Sequence, residues 1–152
     1  MKELFGDCHR GRRLKQSDRV EGTMPLATAG FENNGIASYI NNPEMEVFEN
    51  CLSIDMFGNC FYRDYQYNAD DNILSFGKDG TSKECYKFIA AVINHDSKNF
   101  DFKFQYRQNN YEKHAIKLPA TSDGNPDWNY MENYMKTIEA KAQKKLSGLL
   151  ND

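Results

Sequence analysis

No run of apolar residues in this chain is long enough to cross a membrane as a helix, and the N-terminus lacks the apolar region of a secretion signal. A cytoplasmic protein without membrane contact is therefore expected. Histidine is scarce, and His9, His95 and His114 stand at no metal-ligand spacing. The four cysteines, Cys8, Cys51, Cys60 and Cys85, are widely spaced and sit mostly within apolar runs. That pattern speaks for reduced core thiols and against a disulfide framework or a zinc site. There is no Gly-rich nucleotide loop after a strand, no internal repeat and no low-complexity linker. No Ser or Cys nucleophile has a His near it on an elbow, and the adjacent Cys8 and His9 would point to opposite faces of a strand. The usual signatures of catalysis are missing, which leaves a binding module without cofactor or metal.

What the chain does have is ring area. Aromatics make up 13% of its 152 residues, with ten Phe, nine Tyr and one Trp, alongside 39% hydrophobic and 27% charged residues. This composition predicts one folded body, mixed or β-rich, in which rings pack on pleated surfaces. The net charge of −3 is unevenly spread: residues 1–20 carry +3, residues 131–152 carry +1, and residues 21–130 carry −7. A basic leading segment on an acidic body is compatible with a local phosphate-binding patch.

Along the chain, Met1 to Asp7 is predicted as a first strand or a short helix, followed by a basic loop over Arg10 to Lys15. Met24 to Ala29 is short, apolar and bounded by turns, hence a strand. Gly30 to Gly35 is an extended loop in which Asn34-Gly35 favours positive φ. Ile36 to Ile40 alternates, with Ile36, Ser38 and Ile40 on one side. Val47 to Met56 reads as a strand that turns at Phe57-Gly58-Asn59. Cys60 to Arg63 and then Tyr65 to Tyr67 continue as its antiparallel partner. Asn72 to Phe76 is another strand. From Lys83 to Ile93 the period becomes helical, through Cys85, Phe88, Ile89, Val92 and Ile93. Phe100 to Tyr106 alternates aromatic with polar residues and fits strand or loop, while His114 to Leu118 reads as a closing strand.

The last element is the longest. Trp128 to about Leu150 is predicted as one helix, with Asn125 as N-cap, Pro126 at the first helical position and Asp127 at the positive end of the dipole. Met131, Met135, Ile138, Ala142, Leu146 and Leu149 then form one apolar stripe at nearly coiled-coil period, on a helix rich in Lys and Glu. The expected architecture is α+β: a β-rich head over residues 1–124 and a helical arm over 125–152 whose stripe binds protein.

Two spellings resemble active sites without the chemistry. Asn125-Pro126-Asp127-Trp128 is close to the Asn-Pro-Pro-aromatic motif of adenine-N6 methyltransferases, but the second Pro is absent and helix capping explains all four residues. Pro126-Asp127 with Glu139-Ala140-Lys141 spells a nuclease-like pattern. Asp127 and Glu139 lie about 18 Å apart along one helix, too far to share a metal within one chain. Recognition chemistry remains. Arg12, Arg13 and Lys15, together with Arg10, suit phosphates. Asn33, Asn34, Gln105 and Gln108, together with Asn109, carry amides that pair with adenine edges, and Arg63 and Arg107 are of the kind that read guanine.

The order of motifs resembles a known family. Arg12-Arg13-Leu14-Lys15-x-Ser17-Asp18-Arg19 is followed by Gly22-x-x-Pro25-Leu26-x-Thr28-Ala29-Gly30 and by Asn33-Asn34-Gly35-Ile36-x-x-Tyr39-Ile40. Ile54-Asp55-x-Phe57-Gly58-x-Cys60-Phe61-Tyr62 continues it, then Phe104-Gln105-Tyr106-Arg107 and Ile116-x-Leu118-Pro119…Gly124-x-Pro126-Asp127-Trp128-x-x-Met131. This set, covering nearly the whole chain, is similar to the target-recognition domains of type I restriction-modification specificity subunits and of BcgI-like type IIG systems. The resemblance implies a β-rich head that reads double-stranded DNA and a long spacer helix that docks methyltransferase subunits. It implies no catalysis by the chain itself, which would direct an adenine methyltransferase and a translocase-nuclease to their site. Full subunits of this family carry two heads and two spacers, whereas one of each is present here. The chain is thus expected to be a half-subunit that dimerises through its arm, or a segment of a longer subunit. Two readings from other classes stand beside this one: a small DNA-modifying enzyme whose site is completed across a dimer, and a protein-only regulator of a methyltransferase.

Overall fold

The computed structural model describes residues 1–96 and 100–149. Its helices are α1 (Lys2–Phe5), α2 (Lys83–Asp96), α3 (Gln108–Lys113) and α4 (Trp128–Leu149), with 3-10 turns at Gln16–Asp18 and Glu32–Gly35. Its strands are β1 (His9–Arg10), β2 (Glu21–Ala27), β3 (Ile36–Ile40), β4 (Cys51–Asp55), β5 (Cys60–Arg63), β6 (Asn68–Ala69) and β7 (Ile73–Phe76). An antiparallel sheet has the order β1-β7-β4-β5. A smaller sheet has the order β3-β2-β6, with β2 antiparallel to β3 and parallel to β6.

The layering follows from the alternation in β4. Leu52 and Ile54 join Cys60, Leu74 and Phe76 in the main core, where α2 delivers Cys85, Tyr86, Ile89 and Ile93. Cys51, Ser53 and Asp55 occupy the alternate positions and so face the other way. Such alternation commonly marks a sheet with one wet face. Here Ala27 and Ala69 of the smaller sheet pack with Tyr67 and Ile73 over that face, and Phe48 and Ile36 close around it. Ser53, Asp55, Arg63 and Ser75 are consequently buried. Burial of this kind is tolerated only where the groups are paired. Tyr67 Oη shares hydrogen bonds with Ser75 Oγ at 2.8 Å and Cys51 Sγ at 3.3 Å, and Arg63 Nε donates to Ser53 Oγ at 2.8 Å. All four cysteines are unpaired thiols, two of them fully buried.

Ser82 Oγ accepts from the Cys85 amide at the start of α2, the N-cap chemistry expected of a serine there. α4 then docks on α2: Met131 is 0% exposed, the Phe88 and Tyr134 rings meet edge to face at 5.7 Å, and Lys87 pairs with Glu139. Beyond Glu139 every described residue of α4 is exposed. The ten residues 140–149 therefore extend about 15 Å past the head.

The α+β expectation holds, with differences at four places. The arm's stripe divides: Met131 is sealed in the head's own core and Met135 is half-buried against α2, while Ile138, Ala142, Leu146 and Leu149 remain exposed. The apolar face of α2 claims the first turns, so a boundary at residue 125 would part Met131 from its packing. The N-cap is Asp127, whose Oδ1 accepts from the Tyr130 amide at 2.9 Å, and not Asn125. The Asn125 carbonyl instead accepts from the Thr121 amide at 2.8 Å and closes a turn before the helix.

The closing strand expected over His114 to Leu118 is irregular backbone. Ile116 and Leu118 pack on the main core, so their alternation is satisfied without a ladder. Gln108–Lys113 forms a helix where none was expected, opened by a bond from the Arg107 amide to Asn110 Oδ1 at 2.9 Å and anchored by the buried Tyr111. Leu150 and the last two residues of the arm lie outside the described residues.

Candidate nucleic-acid interface

Asp55, at the end of β4, ties two loops together, and Met56 beside it holds a third. Its Oδ1 accepts from the Phe57 and Asn59 amides at 2.9 Å each, which closes the β4–β5 turn around Gly58 at φ +83°. Its Oδ2 accepts from Asn59 Nδ2 at 2.9 Å and from the Gly30 amide at 3.1 Å, which fastens the β2–β3 loop to that turn. The third loop joins through the Tyr106 amide, which donates to the Met56 carbonyl at 2.8 Å.

Within the β2–β3 loop Asn33 (φ 47°), Asn34 (φ 52°) and Gly35 (φ 74°) are consecutive left-handed residues. Asparagine tolerates that region better than most side chains. The turn is held by the Thr28 amide on the Gly35 carbonyl at 2.8 Å, by Asn33 Nδ2 on the Ile36 carbonyl at 3.3 Å, and from beneath by Arg63. Arg63 Nη2 donates to the Asn34 carbonyl at 2.8 Å and Nη1 to Tyr65 Oη at 2.9 Å. Its guanidinium lies 5.1 Å from the Tyr67 ring centroid and 5.5 Å from that of Phe61. Burial pushes the Tyr67 phenol far up, so this ring is neutral beneath the cation.

Arg63 is 1% exposed, which corrects its assignment as a guanine-reading residue: its donors are turned inward because the polar face of β5 is covered. It is a strut for the turn that displays Asn33 and Asn34, both exposed.

The basic segment is fixed by its backbone. Gly11 and Arg12 amides donate to the carbonyls of Ile73 and Ala69, and the Leu14 amide donates to Asp70 Oδ1. A Cβ on Gly11 would lie 2.3 Å from the Ala69 oxygen, so only glycine fits this approach. Arg10 binds the Asp71 carbonyl at 2.7 Å and its carboxylate at 3.2 Å, while Arg13 lies 3.7 and 3.5 Å from Asp70 and Asp71. These acids offset part of the charge of Arg10 and Arg13. Arg12 donates from its guanidinium to the Glu44 carbonyl at 3.3 Å. The Glu44 carboxyl is held below its usual range first by its own backbone amide, then by Asn42, with a smaller pull from Arg12. Lys15 is exposed on a separate stretch.

Arg107 brings the second set of candidates to the first. Its Nη1 donates to Asn72 Oδ1 at 3.0 Å and its Nη2 to Gln105 Oε1. Arg107, Gln108 and Asn109 line a cavity of about 240 Å³ together with Arg10 and Asp71. Gln105 Nε2 donates in turn to the Phe102 carbonyl at 3.2 Å. A contact chain thus runs from Arg107 through Gln105 to the Phe102 carbonyl, and from the Phe102 ring across Phe57 to Phe31, two residues before the Asn33–Asn34 turn.

Those rings were not among the candidates read from the sequence. Phe31 stacks on Phe57 at 5.5 Å and 19°, and Phe57 meets Phe102 edge-on at 5.0 Å. Phe31 is 74% and Phe102 77% exposed. The signal that could have found them is placement: Phe31 follows Gly30 and Phe57 precedes Gly58, positions where a turn leaves a large ring without a core.

A family model described as the type I restriction modification DNA specificity domain matches residues 2–148. The type II restriction enzyme BgcI specificity subunit S.BcgI of Heyndrickxia coagulans is 27% identical over 146 residues, which cover 93% of this chain and 42% of that protein. The crystal structure of the type-I restriction-modification system S subunit from M. genitalium shares the fold with a TM-score of 0.59 at 16% identity, covering 96% of this chain and 40% of that one. The chain therefore spans about two fifths of the length of these relatives.

Proposed function

The chain belongs to the type I restriction modification DNA specificity domain family, and from that premise we propose that it is a sequence-reading head of a restriction-modification complex. In this reading it performs no chemistry and directs a partner adenine methyltransferase, and an endonuclease subunit, to a site in double-stranded DNA. The observation that carries the reading is the family match itself, which runs through all three loops joined at Asp55 and Met56 and into α4. Asn33, Asn34, Gln105, Arg107 and Gln108 supply base-edge chemistry, and Arg12, Arg13 and Lys15 supply phosphate contacts. α4 beyond Glu139 serves as the spacer. Its exposed Ala142, Leu146 and Leu149 support pairing with a partner helix, including the same helix of a second copy. A symmetric pair of heads would favour a palindromic bipartite target.

The test is methylation in a complex reconstituted with the methyltransferase subunit, with modified adenines mapped by sequencing. Arg107→Ala, and separately Asn33→Ala with Asn34→Ala, should lower the rate and relax the sequence choice. Unchanged rate and choice in both variants would reject these residues as the reading set. Methyl transfer by this chain without a partner would reject the non-catalytic role.

A further inference from the structure

The exposed rings at the loop tips pack on one another rather than into a core. Phe102 and Phe31 keep most of their surface in water, and Phe104, 63% exposed, carries the Lys103 ammonium 5.3 Å from its centroid. Burying such rings against the head would have removed apolar area from water, yet the loops hold them outward. The scaffold that holds them is rigid. Asp55 fixes the turn that carries Phe57 and the amide of Gly30 next to Phe31, and Asp101 Oδ1 accepts from the Lys103 and Phe104 amides at 2.7 Å each. The rings are thus presented as a pre-arranged ridge.

We propose that Phe31, Phe57 and Phe102 form a wedge that packs against the bases of duplex DNA at a flexible step, opening and bending it as the neighbouring amides read the base edges. The proposal rests on the DNA-recognition reading above and deepens it. Three features favour DNA as the occupant. Gln105 donates to the Phe102 carbonyl and accepts from Arg107, which lines one cavity with Arg10. Phe31, one of the ridge's three rings, stands on the same loop as the exposed Asn33–Asn34 turn. Lys103, the residue after Phe102, holds its ammonium over the Phe104 ring and supplies a cation for a phosphate. Apolar wedges flanked by amides and cations are how proteins unstack a step, and pyrimidine–purine steps yield most readily.

The test uses the full chain and a pool of randomised 30-base-pair duplexes, sequenced after rounds of binding. Wild-type chain is expected to enrich one motif. The variant Phe31→Ala/Phe102→Ala, whose rings are exposed and whose melting temperature is expected to stay at the wild-type value, should bind the enriched duplex about 10- to 100-fold more weakly. Its affinity for the unselected pool should change less than about twofold, because phosphate contacts carry that binding. A 2-aminopurine placed at the central step should brighten with wild-type chain and not with the variant.

A variant that enriches the same motif with undiminished affinity overturns the wedge and leaves the DNA reading standing. A variant that keeps its DNA affinity but no longer associates with a methyltransferase subunit assigns the ridge to protein docking, which also overturns it. Failure of the wild-type chain to enrich any duplex overturns the DNA reading and the wedge together.

Discussion

Arg63 Nη2 donates to the carbonyl of Asn34 at 2.8 Å, joining residues 29 positions apart, and among the described residues its guanidinium binds no carboxylate. A buried cation held by a hydroxyl, a phenol, a carbonyl and two ring faces orients its surroundings. Arg63→Met should destabilise the fold by about 2–3 kcal/mol, because Ser53, Tyr65 and the Asn34 carbonyl lose their donor. Urea titration checks this, and a loss under about 0.5 kcal/mol would refute the strut role. The amides of residues 33–35 should also exchange with solvent faster in the variant.

Gly35 sits at φ +74° with the Thr28 carbonyl 2.8 Å from where a Cβ would lie. Gly35→Ala is expected to cost about 1–2 kcal/mol, whereas Asn34→Gly, at φ 52°, should be neutral in stability. The paired comparison of melting curves separates backbone strain from loss of the amide, which only Asn34→Gly removes.

The two halves of the arm should answer differently to truncation. Met131→Ala should cost about 2–4 kcal/mol through the cavity it leaves. Leu149→Ala, at a residue 75% exposed, should change the stability of the isolated chain by less than about 0.5 kcal/mol. If the exposed stripe binds a second helix, Leu146→Asp with Leu149→Asp should abolish the concentration-dependent mass seen in sedimentation. Identical sedimentation of wild type and variant would remove the stripe as an interface.

Arg12 and Lys15 are exposed and form no salt bridge among the described residues, Arg12 feeling only a weak pull from the Glu44 carboxyl, so they are the candidates whose charge is available to phosphate. Replacing either with Ala should reduce the slope of log affinity against log salt by about one, with little change in sequence preference. Arg13→Ala should reduce it less, since Asp70 and Asp71 already face its guanidinium.

The Lys87–Glu139 pair fastens α4 to α2, and the Lys87 hydrogen bond holds the Glu139 carboxyl below its usual value of 4.5. A depressed carboxylate adds stability that is present above the unfolded value and lost as pH falls through the folded one. With side chains 40% and 39% exposed, screening limits the effect to about 0.5 kcal/mol. Glu139→Gln should therefore lower the melting temperature slightly at pH 7 and leave it unchanged once the pH has fallen below the depressed folded value.

Much of this protein was legible in the chain because the relevant physics is local. Alternation in Ile36–Ile40 and Cys51–Asp55, the turn residues at Gly58, and the helical period from Lys83 and from Trp128 each act over a few neighbours, and each element formed where its pattern lies. The motif order from Arg12 to Met131 was likewise enough to point to the family whose model matches residues 2–148. Tertiary packing decided the rest. Whether the polar face of β4 and β5 meets water depends on where the smaller sheet lands, and that placement turned Arg63 from a surface candidate into a buried strut. Whether Ile116 and Leu118 need a strand neighbour depends on the core that happens to lie beneath them. Whether Phe31 and Phe102 are core or ridge depends on three loops meeting at Asp55 and Met56. Each of these rests on contacts between residues tens of positions apart, and no periodicity in the chain encodes them.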